Sequence, residues 1–316
     1  MTCGTDPSQP DYGHVTQLDF YSHFLTGYLP SSISAFTYIQ QFDFGNNRLT
    51  GSLPSSIGTW ESIKAISLQG NSLTGTIPEC ITGMKYMQLL WAQFNYIHGT
   101  LPSNLHLLTD LGAIDLSNNY LSGTLPSSIG GLSKLQYLFL SNNRFVGTIP
   151  SSINSLSKLH ILVVKNNQLT GTIPSSMSTY TSVTNIDFST NKLTGTIPDS
   201  YMLKTLQTLD LSLNSLTGSI PQLVSSLTLC TLLQLEDNFL TMGSVSNIPE
   251  SYFSNATSSG SLFLGSNCLS YKSVRHPWQS TKGNNCKRES EYLTIVLDLF
   301  LCKIPFVLRS TVLQSF

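Results

Sequence analysis

Charged residues are scarce in this chain of 316 residues. Asp, Glu, Lys and Arg together make up 10% of the sequence, and the formal net charge is −1. So small and balanced a charge argues against the broad basic surface that holds nucleic acids or acidic membranes. Hydrophobic residues nevertheless amount to 40%, which is too many for a disordered chain. We therefore predict a folded protein with an uncharged polar surface and no nucleic-acid partner.

The sequence also lacks the motifs that carry catalysis or metal binding. None of its 6 cysteines forms a C-x-x-C pair, and no histidine stands in H-E-x-x-H spacing. A zinc site or a thiol–disulfide centre is therefore not predicted. G-x-S-x-G, the phosphate-loop G-K-[ST] and the kinase signatures are missing as well. We expect neither an enzyme nor a site for a cofactor or metal.

Targeting and membrane signals are weak. The start, Met1 to Asp6, has neither a basic nor an apolar segment, so no signal peptide is predicted in it. The longest apolar run is interrupted by Asp298, Lys303 and Pro305, and a spanning helix needs ~20 mostly apolar residues. A partial membrane anchor, a helix covering the end of the fold and mistranslated sequence remain open for the tail 288–316. We favour the last two over the anchor.

What the chain does have is a repeat. An Asn is followed in most units by Gly four positions later and Pro seven positions later, and the next Asn usually comes 24 residues further on. His23 takes the place of this Asn in a first unit, which makes eleven units. Self-similarity at this period predicts stacked structural units, each contacting its neighbours. The asparagines are Asn47, Asn71, Asn95, Asn119, Asn143, Asn167, Asn191, Asn214, Asn238 and Asn267.

The spacing within one unit predicts its local structure. Ile114 and Leu116 alternate with polar residues, as in a strand with one buried face. Asn119 then turns inward, where its amide can hydrogen-bond backbone groups that the turn leaves unpaired. Gly123 permits a tight bend, and Pro126 suits the start of a short helical or 3₁₀ turn. Stacked units of this kind predict an α/β solenoid with a parallel sheet along one side.

This pattern resembles the plant-type leucine-rich repeat. The motif L-x-L-S-x-N-x-L-T-G-x-I-P-x-x-I-G-x-L is seen at Leu138 to Leu156 and Ile186 to Ile197. The resemblance covers roughly residues 15–270. Members of the family are mainly extracellular: receptor-like proteins and receptor-kinase ectodomains that act in signal transduction, and secreted inhibitors of polygalacturonase. The resemblance implies a superhelix of about eleven repeats that binds ligands on its concave sheet.

The two ends of the repeat array resemble caps. Residues 1–14 resemble the end of the family's N-terminal cap, which has two cysteines, but only Cys3 is present here. We interpret the start as truncated; the alternative is a genuine uncapped start with a free Cys3. At the other end, residues 271–287 are predicted to form a cap loop closed by a disulfide between Cys268 and Cys286, which would contribute ~3 kcal/mol.

Three further features of the sequence bear on its chemistry. Cys80 and Cys230 are expected to be buried and outside any disulfide. Asn255 begins the N-glycosylation triplet Asn255-Ala256-Thr257, which is compatible with a secreted glycoprotein. One strand column holds several aspartates that could suggest paired carboxylates for acid–base work. Because the family motif places Asp there, we interpret these aspartates as surface residues: Asp43, Asp115, Asp187 and Asp210.

A candidate binding surface follows from the alternation of the strands. Positions six, four and two residues before each Asn should point outward, and these positions turn from polar to large and apolar in the middle of the chain. An exposed aromatic cluster with a polar border is typical of a recognition site, although large side chains can also vary freely on a wide sheet. The predicted ligand-binding residues are Leu89, Trp91, Gln93, Tyr137, Phe139, Ile161, Val163 and Lys165.

We therefore predict a non-enzymatic module that recognises a protein, peptide or glycan at the cell surface or outside the cell. Any membrane attachment would come through flanking sequence. One alternative is a secreted inhibitor of an enzyme that degrades cell walls. A weaker alternative is an ice-binding protein, because Thr-Gly-Thr triplets such as Thr74 to Thr76 form rows that could order water. Those rows are interrupted by His98, Val146 and several serines, and threonines are ordinary turn residues.

Overall fold

The computed structural model describes residues 2–3, 13–175, 180–198, 205–221, 227, 229–241, 261–263, 265 and 267. All of them belong to the first of two units of the chain, Met1–Lys282; the second is Gly283–Phe316. The predicted disulfide between Cys268 and Cys286, the glycosylation triplet at Asn255, the cap loop 271–287 and the tail 288–316 lie outside the described residues.

A 12-stranded sheet runs along the repeats, with one short strand from each of the eleven repeats and one further strand, Thr2–Cys3, before the first of them. Neighbouring strands are parallel, except that β1 pairs with β2 in the antiparallel sense. The strands are β1 (Thr2–Cys3), β2 (Val15–Asp19), β4 (Gln41–Asp43), β6 (Ala65–Ser67), β7 (Leu89–Trp91), β9 (Ala113–Asp115), β11 (Tyr137–Phe139), β13 (Ile161–Val163), β15 (Asn185–Asp187), β17 (Thr208–Asp210), β19 (Leu232–Gln234) and β21 (Ser261–Phe263).

The register of this main sheet repeats from strand to strand. Ile114 is the register partner of Leu90 on one side and of Leu138 on the other, and all three side chains are buried. Because side chains alternate between the two faces of a strand, a slip of one residue would expose this apolar row. In the three-residue strands of this sheet from β4 to β19 the middle residue therefore faces the continuous interior, and the residues before and after it face outward.

A second set of strands follows His23 and most of the repeated asparagines and forms three smaller parallel sheets. They carry the residues on either side of the repeated Gly, so this glycine lies within or directly beside a strand. The strands are β3 (Thr26–Tyr28), β5 (Arg48–Thr50), β8 (His98–Gly99), β10 (Tyr120–Thr124), β12 (Arg144–Thr148), β14 (Gln168–Thr170), β16 (Thr194–Gly195), β18 (Ser215–Ser219) and β20 (Phe239–Thr241).

Short 3₁₀ turns complete the repeats, and most begin directly after the repeated Pro. Pro126 precedes one of them with φ −70° and ψ 141°, an extended conformation that suits a residue before a helical turn. Ile129 in that turn is fully buried, so the turn closes the interior on the side away from the main sheet. The 3₁₀ turns are Ser31–Ala35, Ser55–Thr59, Glu79–Gly83, Leu105–Leu107, Ser127–Gly131 and Ser151–Ser155.

The predicted leucine-rich repeat fold, with a parallel sheet and short 3₁₀ turns, is thus confirmed. None of the helices in the described part of the chain has the length and apolar character needed to cross a bilayer.

The two cysteines within the described repeats differ in burial. Cys230 is buried, as expected, and its Sγ donates to the carbonyl oxygen of Leu232 at 3.3 Å. The expectation that Cys80 is buried is wrong, because it lies in an outer 3₁₀ turn and stays half-buried. Its Sγ donates to the carbonyl oxygen of Ser55 at 3.1 Å. Neither thiol forms a disulfide in this part of the chain.

Candidate functional site

The outward face of the main sheet brings the predicted ligand-binding residues onto three strands. Tyr137 and Phe139 on β11 are the register partners of Ile161 and Val163 on β13. These four side chains therefore form a compact block, since neighbouring strands lie about 4.8 Å apart. Lys165 follows two residues after Val163. The remaining three predicted residues belong to β7 and the turn after it: Leu89, Trp91 and Gln93.

Leu89 is less exposed to solvent than the other predicted ligand-binding residues. Its side chain is only 3% exposed, so the expectation that it belongs to an open surface is wrong. Outward side chains on an inner strand have close neighbours on both sides. Leu89 has strands β6 and β9 on its two flanks and the larger Trp91 beside it, and together these exclude water. The other predicted residues are half-buried: Trp91, Gln93, Tyr137, Phe139, Ile161, Val163 and Lys165.

Strand β9 lies between the two parts of the predicted cluster and was omitted from it. Asp115 on this strand is the register partner of Trp91 on β7 and of Phe139 on β11. All three side chains are half-buried. The structure thus inserts a carboxylate between two large aromatic residues, where the sequence analysis counted an ordinary surface aspartate.

The carboxylate of Asp115 is held by its own turn. Its Oδ1 accepts a hydrogen bond from the backbone N–H of Ser117 at 3.0 Å. Burial among its neighbours raises the pKa of Asp115 to about 6, and the hydrogen bonds from Ser117 oppose part of that rise. No ion pair to Asp115 is found among the described residues.

Two neighbouring aspartates on the same face, Asp187 and Asp210, have a lysine close to one of them. Lys165 Nζ lies 3.5 Å from Asp187 Oδ2, and Asp187 Oδ1 accepts hydrogen bonds from the backbone N–H and hydroxyl of Ser189 at 3.0 and 2.6 Å. Asp210 is the register partner of Asp187. Burial, followed by the negative charge of Asp187, raises the pKa of Asp210.

Two glutamines border the aromatic residues on this face. Gln69 is buried, and in the described part of the chain neither of its amide atoms has a hydrogen-bond partner. Gln69 therefore does not belong to an exposed polar border of the aromatic residues. Gln93, two residues after Trp91, is half-buried, and its Oε1 is likewise without a partner among the described residues. Gln93 Oε1 is thus a hydrogen-bond acceptor beside Trp91 that no described donor uses.

Three further exposed aromatic residues lie beside the main sheet, next to the repeated asparagines. Phe94, Tyr96 and Tyr120 are 57%, 49% and 42% exposed, and the rings of Tyr96 and Tyr120 stack with centroids 6.0 Å apart. Arg144 lies over the Tyr120 ring at 4.6 Å. Together these residues form an aromatic edge beside a shallow depression of about 400 Å³. The outward strand columns do not include these positions, although the signal stands in the sequence on both sides of Asn95 and directly after Asn119.

The threonines after the repeated Gly form a regular exposed column. The methyl carbon of each threonine lies against the glycine of the next repeat: Thr100 Cγ2 is 2.7 Å from where a Cβ on Gly123 would be. The glycine therefore provides the space into which the threonine methyl packs. The column consists of Thr76, Thr100, Thr124, Thr148, Thr172 and Thr196. The parallel column before the glycine is interrupted by His98, Ser122 and Val146.

Within the ranges that the structure describes, no three His, Cys, Asp or Glu side chains come close enough together to hold a metal ion. The outward face of the main sheet, called the main face below, presents aromatic surface, a desolvated carboxylate and amide groups.

Comparison with known proteins identifies relatives of this arrangement. A family model described as Leucine Rich Repeat matches residues 38–60, 62–84, 111–132, 134–156, 158–179 and 205–227. No curated protein matches the sequence.

Solved structures match the fold over most of the chain. The crystal structure of a TDR receptor is 29% identical with a TM-score of 0.67, covering 82% of this chain and 48% of the receptor chain. The ectodomain of the Arabidopsis receptor kinase HAESA, in complex with an extended IDA peptide hormone, is 29% identical with a TM-score of 0.64, covering 84% and 48%. The chain thus spans about half the length of these receptor chains. A plant ice-binding protein is 24% identical with a TM-score of 0.67, covering 81% and 80%, and shares the fold.

Proposed function

Because this chain is a plant-type leucine-rich repeat protein, we propose that it is a non-enzymatic recognition module that binds its ligand on the outward face of the main sheet. The ligand is a protein, peptide or glycan, and the peptide hormone in the HAESA complex favours a peptide. The module faces the outside of the cell, as the ectodomain of a receptor-like protein does. The binding residues are Trp91, Gln93, Tyr137, Phe139, Ile161, Val163 and Lys165.

The half-exposed aromatic residues on the main face carry this proposal. Trp91, Tyr137 and Phe139 lie on the outward face of the main sheet, where nothing in the fold requires large apolar side chains. Their inward neighbours Leu90 and Leu138 already supply the interior. Large aromatic residues kept partly open to water, with a polar border, are the groups that dominate binding energy at protein interfaces.

The experiment is an alanine scan on a selected ligand. The full chain is immobilised, peptides are selected from a displayed random library, and the affinity of one selected peptide is measured by calorimetry. Trp91→Ala and Phe139→Ala should each weaken binding by ~2 kcal/mol without changing the circular dichroism spectrum. Thr148→Ala, on the exposed threonine column, is the matched control and should leave the affinity unchanged. Equal affinity in wild type and both aromatic variants would exclude the main face.

Ice binding is a second candidate, supported by the exposed threonine column. Six consecutive repeats place a threonine there, each with its methyl packed on the next glycine, so the column is regular and rigid. The interrupted neighbouring column limits the flat area that this surface can offer to ice. Ice-recrystallisation assays on the full chain test the candidate directly. Inhibition that disappears in Thr124→Leu would support it, and no inhibition at micromolar concentration would rule it out.

A further inference from the structure

The electrostatic character of the main face indicates the charge of its ligand. Among the described residues, the three outward columns contain one basic side chain, Lys165, which already lies 3.5 Å from Asp187. The same columns contain the acidic residues Asp19, Asp43, Asp115, Asp187, Asp210 and Glu236. A face with this excess of carboxylates attracts cationic partners and repels anionic ones.

One of these carboxylates has a setting that the others lack. Asp115 stands between Trp91 and Phe139 in the register of the sheet, so aromatic residues flank it on both neighbouring strands. Within the described residues, neither ring stacks on another aromatic ring or carries a cation over its face. A cation placed over Asp115 would thus meet a negative charge with an aromatic residue on either side, and both kinds of group attract it.

Resting on the proposed function, we propose that Trp91, Asp115 and Phe139 form a subsite for an arginine side chain of the peptide ligand. A guanidinium is planar, stacks on aromatic rings and pairs with a carboxylate through parallel N–H donors. The bound guanidinium would neutralise a carboxylate that burial now leaves without a counter-charge.

The titration of Asp115 gives the subsite a pH dependence. The pKa of Asp115 is raised to about 6 by burial, so the free protein carries the charged form at pH 7.5 and mostly the neutral form at pH 5. On the strands packed against it, β7 contributes no charged residue and β11 contributes the phenol of Tyr137. Arginine binding should therefore weaken about tenfold from pH 7.5 to pH 5 because the charged fraction falls by that factor.

The chain offers a matched control at an equivalent position. Asp43 occupies the same place in its own repeat, and its Oδ1 accepts the backbone N–H of Gly45 at 2.9 Å, as Asp115 does with Ser117. Its register partners are Asp19 and Ser67, so no aromatic residue flanks it. Replacing Asp43 removes a charge from the face without touching the proposed subsite.

The test titrates the full chain with N-acetyl-arginine amide and its neutral isostere N-acetyl-citrulline amide, followed by NMR. We expect millimolar binding of the arginine probe and at least tenfold weaker binding of citrulline. Asp115→Asn, which keeps an acceptor for Ser117, should weaken arginine binding at least tenfold and abolish its pH dependence, whereas Asp43→Asn should change it less than twofold. Equal binding of both probes, no arginine binding, or equal effects of the two variants would overturn the subsite. A selected peptide without arginine that still depends on Trp91 would overturn the subsite and leave the proposed function intact.

Discussion

The side-chain oxygen of Asn143 accepts a hydrogen bond from the backbone N–H of Leu121, which lies 22 residues earlier, at 2.9 Å. Its Nδ2 donates to the carbonyl oxygens of Leu116, Leu140 and Ser141 at 3.0, 3.2 and 3.1 Å. One buried amide thus joins two consecutive repeats and satisfies backbone groups that no strand pairs. The other asparagines of the series repeat this arrangement from Asn47 to Asn267.

We expect Asn143→Ala to lower the free energy of unfolding by about 3 kcal/mol. The substitution leaves a buried N–H and several carbonyl oxygens without partners, and each such group costs roughly 1–3 kcal/mol. Urea denaturation followed by circular dichroism measures the change. Gln168→Ala, at an exposed position of the next repeat, is the control and should cost less than about 0.5 kcal/mol. Similar losses in the two variants would show that the amide is dispensable.

The location of this asparagine could be predicted from the sequence because the period is nearly constant. With strands of period two and units of 24 residues, each residue's face follows from its distance to the next Asn. Asn119 and its equivalents were therefore placed inward correctly, and the parallel sheet and 3₁₀ turns followed. The geometry of each hydrogen bond is set by the stacked backbones, which no single repeat contains.

The degree of exposure could not be predicted in the same way. The alternation along the strand assigns Leu89 to the outward face. The side chains that cover Leu89 belong to neighbouring strands and to the next outward position of its own strand, so the alternation does not reveal them. Asp115 shows the same limit, since its raised pKa arises from burial among residues of adjacent repeats. The aromatic edge of Phe94, Tyr96 and Tyr120 was visible in the sequence, but an analysis of strand columns does not include turn positions.

The packing of Thr100 on Gly123 leads to a prediction about stability. Gly123 has φ +73°, and an added Cβ would come within 2.7 Å of Thr100 Cγ2. Gly123→Ala should therefore lower the free energy of unfolding by about 2 kcal/mol, from both backbone strain and the clash. In a Thr100→Ser background the methyl is absent, so only the backbone cost of about 1 kcal/mol should remain. Additive losses in the double-mutant cycle would contradict the contact.

The buried charge of Asp115 makes stability depend on pH. Its pKa is about 6 in the folded protein and near the ordinary value of about 3.9 in the unfolded chain. Between these values the folded state binds more protons than the unfolded state, so stability contributed by this group falls as pH rises from about 4 to 6. Above pH 6 the charged form of Asp115 lowers the free energy of unfolding by about 3 kcal/mol.

Asp115→Asn should therefore be more stable than the wild type at pH 7, by about 3 kcal/mol, and lose that advantage below pH 4. Chemical denaturation of both proteins at several pH values between 4 and 8 gives the difference directly. A difference that stays constant with pH would mean that the carboxyl is not the titrating group. A gain in stability on removing a charge from the main face is what a residue kept for binding would show.

The last prediction separates the main face from the aromatic edge as the site of ligand binding. Tyr120 stacks on Tyr96 at 6.0 Å and carries Arg144 at 4.6 Å, so its exposed ring is engaged within the protein on both sides. Tyr120→Ala should lower the free energy of unfolding by about 1 kcal/mol through the loss of these contacts. The affinity for the peptide selected on the wild type should change less than twofold, because Trp91 and Phe139 remain. Calorimetry of Tyr120→Ala beside Trp91→Ala makes the comparison under one set of conditions. If Tyr120→Ala weakens binding as strongly as Trp91→Ala, the ligand extends over the aromatic edge; if it alone weakens binding, the site lies there and the main face is only the scaffold beside it.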